Sequence, residues 1–234
     1  MWEYGIEYAG ESEKENGLSV VRRPNIPAPE RRYERKKIPG RDGEIYITNG
    51  ELEDIEIDVE LNYIGKPDEW FKRFRRAKKW LLQKGQHRLV FGDNMGFFYL
   101  AKKVVISEAD RVCHEIGKFT ATFTCGGYEY VLSGQQEYAI SDVTYNPYSI
   151  SHPTYMITGE GTCILTVNGN TMSADIGQNI TIDTELMIAY RRDGEMQNTE
   201  VTGKYEDLYL IEGENAISVT DGFEIKIIPN WRCE

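Results

Sequence analysis

The feature that most constrains the fold of this chain is a strict alternation of apolar and acidic residues over positions 55–61. The apolar set is Ile55, Ile57, Val59 and Leu61, and the acidic set between them is Glu56, Asp58 and Glu60. A period of two is the pattern of a β-strand with one buried face. Carboxylates on the other face usually meet water. A cation site, a catalytic carboxylate pair or, within a ring, an acidic wall facing a channel remain open alternatives.

One segment, residues 67–84, has the pattern of an α-helix. Pro67 suits a first turn, Asp68 and Glu69 favour the positive end of the helix, and Gly85 follows as a stop. At helical spacing one side carries Trp70, Phe71, Phe74, Ala77 and Leu81. The rest is largely basic, through Lys72, Arg73, Arg75, Arg76, Lys78 and Lys79. We interpret it as an amphipathic helix docked on a sheet, in preference to a nucleic-acid or membrane site.

The remaining sequence predicts strands in two domains. Residues 86–130 return to strand patterns, and residues 131–234 contain short β-rich runs separated by hairpin signals such as Asn168-Gly169 and Asp221-Gly222. Residues 1–130 carry 22 basic and 22 acidic side chains, whereas 131–234 carry 5 and 16, so the whole net charge of -11 belongs to the second part. We predict a mainly β protein with an N-terminal sheet domain, 1–133, that includes one helix, and a C-terminal antiparallel β-sandwich, 134–234.

Residues 24–43 combine four prolines with a basic cluster, which predicts an extended arm or loop with little regular structure. The candidate contact residues in it are Arg31, Arg32, Arg35 and Arg41. Glu30 and Glu34 lie among these cations and weaken a nucleic-acid interpretation. A solvated loop or one that contacts another subunit is favoured.

No sequence motif of catalysis or of phosphate, calcium or zinc binding is present. His87, His114 and His152 are far apart, and each is interpreted as an isolated structural histidine. Cys113, Cys125, Cys163 and Cys233 have no C-x-x-C spacing, which predicts free, mostly buried thiols. We therefore predict no enzyme activity, no catalytic residue, no cofactor and no metal. No apolar run is long enough to span a bilayer and the start lacks signal-peptide features, so we expect neither a membrane protein nor an exported one.

The order of features resembles the distal tail proteins of long-tailed, non-contractile bacteriophages. The resemblance begins with Trp2, Tyr4 and Gly5 and continues through the segment 38–43 and the helix ending in Trp80-Leu81. It extends to Phe91-Gly92-Asp93 and Tyr99, and then through the second half, at Asn146-Pro147, Pro153, Gly159, 164–169, Ile182-Asp183 and 211–215. Each motif is weak by itself, and their order and spacing carry the resemblance.

The resemblance implies a structural virion protein that forms a six-subunit ring at the tail tip. The N-terminal domains would form the ring and galectin-like sandwiches would surround it, with a central channel through which DNA passes only as cargo. The implied partners are the tail tube protein on one side and a tail-associated hub or baseplate protein on the other. Location would be the virion tail tip, and the host cytoplasm during assembly.

Two hypotheses about residues follow, and one alternative function stays open. Glu56, Asp58 and Glu60 would face the lumen and repel phosphate, and the arm from Arg31 to Arg41 would contact a neighbouring subunit. The name of the galectin-like sandwich suggests a carbohydrate-binding host-recognition module as the alternative. Fold alone does not transfer that function, and only the isolated Trp231 suggests a sugar platform.

Overall fold

The computed structural model describes residues 4–111 and 115–234. Trp2, Cys113 and His114, which the sequence analysis named, lie outside these residues. The chain divides into two compact units, Met1–Glu129 with Glu234, and Tyr130–Cys233. That division lies near the predicted domain limits, 1–133 and 134–234. That these two parts are separate domains stays a prediction.

The N-terminal unit is built from antiparallel strands. They are β1 (Ile6–Tyr8), β2 (Glu11–Ser12), β3 (Ser19–Val20), β4 (Arg31–Lys37), β5 (Glu44–Leu52), β6 (Ile55–Ile64), β7 (His87–Phe91), β8 (Phe97–Ile106), β9 (Asp110–Arg111) and β10 (Ile116–Val131). The main sheet has the order β2-β1-β7-β8-β10-β6-β3, and β9 pairs with β10. Strands β4 and β5 pair with each other and form a separate hairpin.

The alternation that predicted strand β6 is confirmed in full. Ile55, Ile57, Val59 and Leu61 are buried. They face Cys125, Phe123, Ala121 and Phe119 of β10 in an unbroken antiparallel register. These side chains form the centre of the unit's hydrophobic core, together with residues of β1, β7 and β8.

The predicted helix is confirmed with two corrections to its buried side. A 3₁₀ turn, Pro67–Glu69, leads into α1, Trp70–Leu81. Trp70, Ala77 and Leu81 are buried, but Phe71 is 61% exposed, so its assignment to the core was wrong. Trp80, which the sequence analysis did not count as core, is buried and its Nε1–H donates to the Tyr8 carbonyl oxygen at 3.0 Å. The buried side of the helix carries Trp70, Ala77, Trp80 and Leu81, and Phe71 lies on the solvent side.

The C-terminal unit is all β apart from 3₁₀ turns. Its strands are β11 (Tyr145–Asn146), β12 (Thr154–Thr158), β13 (Gly161–Val167), β14 (Asn170–Ile176), β15 (Asn179–Asp183), β16 (Ile188–Tyr190), β17 (Val201–Thr202), β18 (Gly213–Glu214), β19 (Ile217–Val219), β20 (Glu224–Ile228) and β21 (Arg232–Cys233). The 3₁₀ turns are Ser133–Gln135, Ile140–Asp142, Asn198–Glu200 and Tyr205–Leu208.

Two four-stranded sheets, β16-β15-β12-β20 and β17-β14-β13-β19, enclose the second core. Strands β11 and β18 form a small separate ladder. The predicted antiparallel β-sandwich is thus confirmed. Within the described ranges, no helix is long and apolar enough to cross a membrane.

Candidate functional site

The basic segment forms a regular hairpin, which corrects the expectation of an irregular loop for Arg31–Lys37. Strand β4 pairs with β5 from Lys37–Glu44 to Tyr33–Thr48, with a register shift between Arg31 and Tyr33. Every residue of β4 is exposed. The β-forming run Ile45 to Thr48 supplies the partner strand, and the composition of residues 24–43 alone gave no sign of it. This hairpin, residues 31–52, is longer than the predicted arm, and we call the whole of it the arm.

The pairing register sorts the side chains of the arm onto two faces. Directly opposite residues in an antiparallel pair share a face. One face carries Tyr33, Arg35, Lys37, Glu44, Tyr46 and Thr48, and we call it the aromatic face. On it the Tyr33 and Tyr46 rings meet edge to face at 6.1 Å, and the Arg35 guanidinium lies 5.4 Å from the centre of the Tyr46 ring.

The opposite face, which we call the isoleucine face, holds Glu34, Lys36, Ile45 and Ile47. The Lys36 ammonium lies 3.4 Å from the Glu34 carboxylate. A groove of about 340 Å³ at the side of the arm is lined by Arg32, Tyr33, Glu34, Ile47 and Thr48. The arm therefore presents two chemically different surfaces.

The four candidate arginines do not form one cluster. Arg31 donates to the Glu234 carboxylate, and Arg32 lies 3.5 Å from the Glu51 carboxylate. Arg35 is on the aromatic face, and Arg41 lies in the turn that joins the two strands, where its backbone N–H donates to the Ile38 carbonyl oxygen. Their role in subunit contact stays a hypothesis.

The root of the arm is fastened to the main sheet. The Glu53 backbone N–H donates to the Glu30 carbonyl oxygen at 2.8 Å, which closes the two ends of the hairpin. One residue further on, the Asp54 carboxylate accepts a hydrogen bond from the Lys102 ammonium of β8 at 2.6 Å. Strand β10 passes beneath this root at Gly127. These contacts hold the point at which the arm leaves the sheet.

The second candidate surface is the outer face of β6. Glu56, Asp58 and Glu60 lie opposite Thr124, Thr122 and Thr120 of β10. The carboxylates thus form a row beside a row of threonine hydroxyls, on the side of the sheet away from the core. Thr122 donates to the Asp58 carboxylate at 2.6 Å.

Glu60 differs from the other two carboxylates because two cations hold it. Its oxygens lie 2.7 Å from the Lys118 ammonium and 2.6 Å from the Arg22 guanidinium. The hydrogen bond from Lys118 and the charge of Arg22 lower the pKa of Glu60 below its usual value. A general acid that works at neutral pH needs a raised pKa, so the lowered pKa of Glu60 does not suit that role.

Thiol and metal chemistry find no support among residues 4–111 and 115–234. Cys125 and Cys163 are free and buried, and Cys233 is half-buried. Burial raises the pKa of the Cys125 thiol to about 12 and also raises that of Cys163, so neither forms a nucleophilic thiolate at neutral pH. The described residues contain no group of three or more His, Cys, Asp and Glu side chains placed to hold a metal ion.

The expectation of an isolated histidine is wrong for His152. Its Nδ1 lies 2.5 Å from the Glu185 carboxylate, and its Nε2 lies 2.8 Å from the Arg232 guanidinium. The Tyr209 ring stacks on the imidazole at 3.8 Å. Arg232 also donates to the Ile150 carbonyl oxygen, so this group ties the end of the chain to the sandwich. The four side chains are far apart in sequence, and no local signal could have brought them together.

Trp231 is also less isolated than predicted. The Tyr138 and Tyr148 rings lie 5.6 and 6.2 Å from it, at interplanar angles of 35° and 46°. A sugar ring stacks best on a flat, open aromatic face, and these rings are tilted against one another. The arrangement packs the N-terminal edge of the sandwich, where the Tyr138 hydroxyl donates to the Ser133 carbonyl oxygen.

The motif at 211–215 has a structural explanation. Asn215 is buried, and its side-chain oxygen accepts hydrogen bonds from the Ile211 backbone N–H and the Asn168 side-chain amide, both at 2.9 Å. Its amide donates to the carbonyl oxygens of Ile211 and Gly213. Asn215 therefore fixes its own loop and joins it to the Asn168-Gly169 hairpin turn.

Comparison with known proteins finds one family that matches part of the N-terminal region. Residues 14–125 match the family described as the phage tail protein RIFT-related domain. No curated protein sequence matches the chain. Among solved structures, the fold matches the crystal structure of the Dit protein (gp 19.1) of phage SPP1, a protein described as a paradigm of the hub adsorption apparatus in phages that infect Gram-positive bacteria.

That structural match has a TM-score of 0.70 at 12% identity and covers 96% of this chain and 97% of the SPP1 protein. The two chains therefore share one fold along nearly their whole length. The resemblance to phage distal tail proteins is confirmed by both comparisons. The matched family and fold are those of structural tail proteins.

Proposed function

We propose that this chain, which carries a phage tail protein domain and has the fold of the SPP1 Dit protein, is a distal tail subunit that joins the tail tube to the host-adsorption apparatus. The observation that carries the proposal is the structural match over nearly the full length of both chains. An enzyme built on a similar sheet would need a reactive group, and the thiols of Cys125 and Cys163 and the carboxylate of Glu60 are not suited to that role.

In the proposed assembly, six copies form a ring through their N-terminal domains, 1–133, and the sandwich domains, 134–234, lie outside it. The β6 edge supports such a ring. Strand β3 pairs with β6 only at Asn62 and Leu61, so in the described part of the chain Ile55 to Val59 have no partner strand on that side. An open strand edge is a surface to which another strand can add, and cyclic closure removes such edges.

The proposed partners are the tail tube protein on one side of the ring and a tail-associated hub or baseplate protein on the other. DNA would cross the central channel as cargo, and no cofactor is needed for this role. The protein would be found at the virion tail tip, and in the host cytoplasm while tails assemble. Glu56 and Asp58, which are exposed, support a channel wall that repels phosphate, and Glu60 contributes less because Lys118 and Arg22 neutralise it.

The first experiment is negative-stain electron microscopy of the purified protein at high concentration. Six-fold rings with a central hole are the expected result, and compact monomers alone would contradict self-assembly of this chain. Deletion of the gene in its phage should abolish tail assembly. Binding on a glycan array together with normal tails after deletion would favour the lectin alternative instead.

The contact role of the arm is tested on the same rings. Arg41→Glu reverses a charge at the tip of the arm, where the side chain has no ion pair among the described residues, so folding should be unchanged. Lys72→Glu on the exposed side of α1 is a matched control for charge reversal away from the arm. Rings that form equally well with Arg41→Glu would remove the arm from the subunit contact.

A further inference from the structure

The contact between His152 and Arg232 in the sandwich fixes the protonation state of the imidazole. Arginine has hydrogen-bond donors and no acceptor. The Arg232 guanidinium lies 2.8 Å from His152 Nε2, so this ring nitrogen accepts the hydrogen bond and carries no proton. The single proton of the neutral ring is therefore on Nδ1, which donates to the Glu185 carboxylate at 2.5 Å. The observed arrangement requires a neutral imidazole.

Protonation of the ring removes one of these two hydrogen bonds. With a second proton, Nε2 becomes a donor that points at a donor of Arg232, and both groups are cations. Glu185 favours the protonated ring, and the Nδ1 side needs no change to keep its bond. The Glu185 side chain is 48% exposed and that of Arg232 only 7%, so water screens the carboxylate much more than the guanidinium. We expect the bond to Arg232 to break and the bond to Glu185 to stay.

The aromatic ring stacked on His152 adds no charge to this contact. The centre of the Tyr209 ring lies 3.8 Å from that of the imidazole, and the two planes are 16° apart. Burial raises the pKa of the Tyr209 phenol, the charges of Glu206 and Glu185 raise it further, and Arg232 opposes them. The phenol therefore stays neutral in neutral and acid solution. The response of the contact to pH comes from His152, between the charges of Glu185 and Arg232.

Arg232 belongs to the last strand of the sandwich and fastens that strand to the segment 149–152. Its side-chain Nε donates to the Ile150 carbonyl oxygen at 2.7 Å, and its backbone carbonyl oxygen accepts from the Ser149 N–H at 3.1 Å. Arg232 is buried. A buried cation that loses a partner and gains a second cation beside it is strongly destabilised, and it can reach water only if the surrounding segments separate.

We propose that His152 is a pH-sensitive switch in the sandwich: the neutral ring holds β21 against the segment 149–152 through Arg232, and the protonated ring releases it. Histidine is suited to this role because its charge ordinarily changes between about pH 5 and 8. The switch lies within the C-terminal unit, so it goes beyond the proposed tail function and does not depend on ring assembly.

Hydrogen exchange of the Ser149 amide measures the closed contact in the full-length protein. Its protection, corrected for the intrinsic effect of pH on exchange, should fall about tenfold or more between about pH 7.5 and about pH 5. The Ile227 amide, which donates to the Tyr138 carbonyl oxygen at 2.9 Å, is the internal reference and should keep its protection. Equal protection of the Ser149 amide at both pH values would overturn the switch.

His152→Gln keeps the contact and removes its titration. A side-chain amide offers a donor and an acceptor, as the neutral imidazole does, and gains no proton in this pH range. The Ser149 amide should then be protected equally at both pH values. His87→Gln is the matched control, because His87 lies in β7 of the other unit, where its Nε2 contacts the Lys84 carbonyl oxygen, and it should leave the fall unchanged. A fall in His152→Gln equal to that of the wild type would overturn the role of His152.

Two further measurements do not require His152→Gln to fold. Nitrogen NMR of the imidazole in the wild-type protein should show Nε2 without a proton at neutral pH, and a proton on Nε2 there would overturn the assigned hydrogen bond to Arg232. Glu185→Gln removes an exposed anion that favours the protonated ring, so the fall in Ser149 protection should move to lower pH. A fall at the same or a higher pH would overturn the opposed roles of Glu185 and Arg232.

Discussion

Gly127 of β10 lies directly beneath Glu53 at the root of the arm, so closely that a Cβ atom on Gly127 would be 2.7 Å from the Glu53 carbonyl oxygen. The same Cβ would be 2.7 Å from the Leu52 Cβ and 3.1 Å from the Pro29 Cβ. Contacts this short involve backbone and cannot be relieved by rotating a side chain. The absence of a side chain at position 127 is therefore a condition for the observed direction of the arm.

The first prediction concerns this close approach. Gly127→Ala should displace the arm root and lower the free energy of unfolding by about 1–3 kcal/mol, as overpacking does. Hydrogen exchange should become faster at the Glu53 amide, which donates to Glu30. Gly126→Ala is the control, because its Cβ would meet only the Lys102 Cε, at 3.7 Å. Equal protection of the Glu53 amide in both variants would contradict the prediction.

The second prediction concerns α1. Trp80→Phe removes the donor to the buried Tyr8 carbonyl oxygen and should lower the free energy of unfolding by about 1–3 kcal/mol. Phe71→Leu on the exposed side should change it by less than about 0.5 kcal/mol. Urea unfolding monitored by circular dichroism measures both. A larger loss of unfolding free energy for Phe71→Leu than for Trp80→Phe would contradict this assignment. It would support the sequence prediction, which placed Phe71 in the core.

The third prediction concerns pH. Lys118 and Arg22 lower the pKa of Glu60 in the folded chain, so its ion pairs stabilise the fold above the unfolded pKa of about 4.3, and this stabilisation is lost as pH falls through the lower folded value. Glu60→Gln should therefore lower the melting temperature at neutral pH, and the difference from wild type should shrink in acid. Glu56→Gln, which removes a carboxylate from the same face of β6 that has no ion pair among the described residues, is the control for loss of a charge from this surface. A constant difference at all pH values would exclude the proposed cause.

The fourth prediction concerns the domain limit. The Val131 backbone N–H donates to the Trp231 carbonyl oxygen at 2.9 Å, so the C-terminal unit includes residues before the predicted start at 134. A fragment of residues 130–234 should be more stable than one of residues 134–234 by about 1 kcal/mol. Thermal unfolding of the two fragments measures the difference. Equal melting temperatures would support the limit predicted from the sequence.

Local periodicity predicted the elements whose buried side is set by their own residues. Strand β6 and helix α1 followed from spacing, because each packs an apolar face against one sheet. The hydrophobic side of α1 was misjudged by about one position, since Trp80 gains its place through a hydrogen bond to Tyr8 in a distant strand. Such a bond leaves no trace in the spacing of apolar residues.

The candidate site was harder to predict because it depends on pairing between segments. Composition identified Arg31 to Arg41 as an exposed basic segment, but its two faces appear only once β5 is placed opposite β4. The group around His152 and Arg232 joins four residues from four separate parts of the sandwich sequence. The first arrangement follows from strand register and the second from the way distant segments meet, and a single sequence specifies neither.

Among the described residues, each hydrophobic core contains one completely buried free thiol, Cys125 in the N-terminal unit and Cys163 in the C-terminal unit. A thiol reagent can reach either of them only when the surrounding core opens. The chain thus carries two native reporters, and the labelling rates at Cys125 and Cys163 would time the opening of the two units separately in the intact, unmodified protein. Comparing those rates before and after assembly would tell which unit a ring stabilises kinetically.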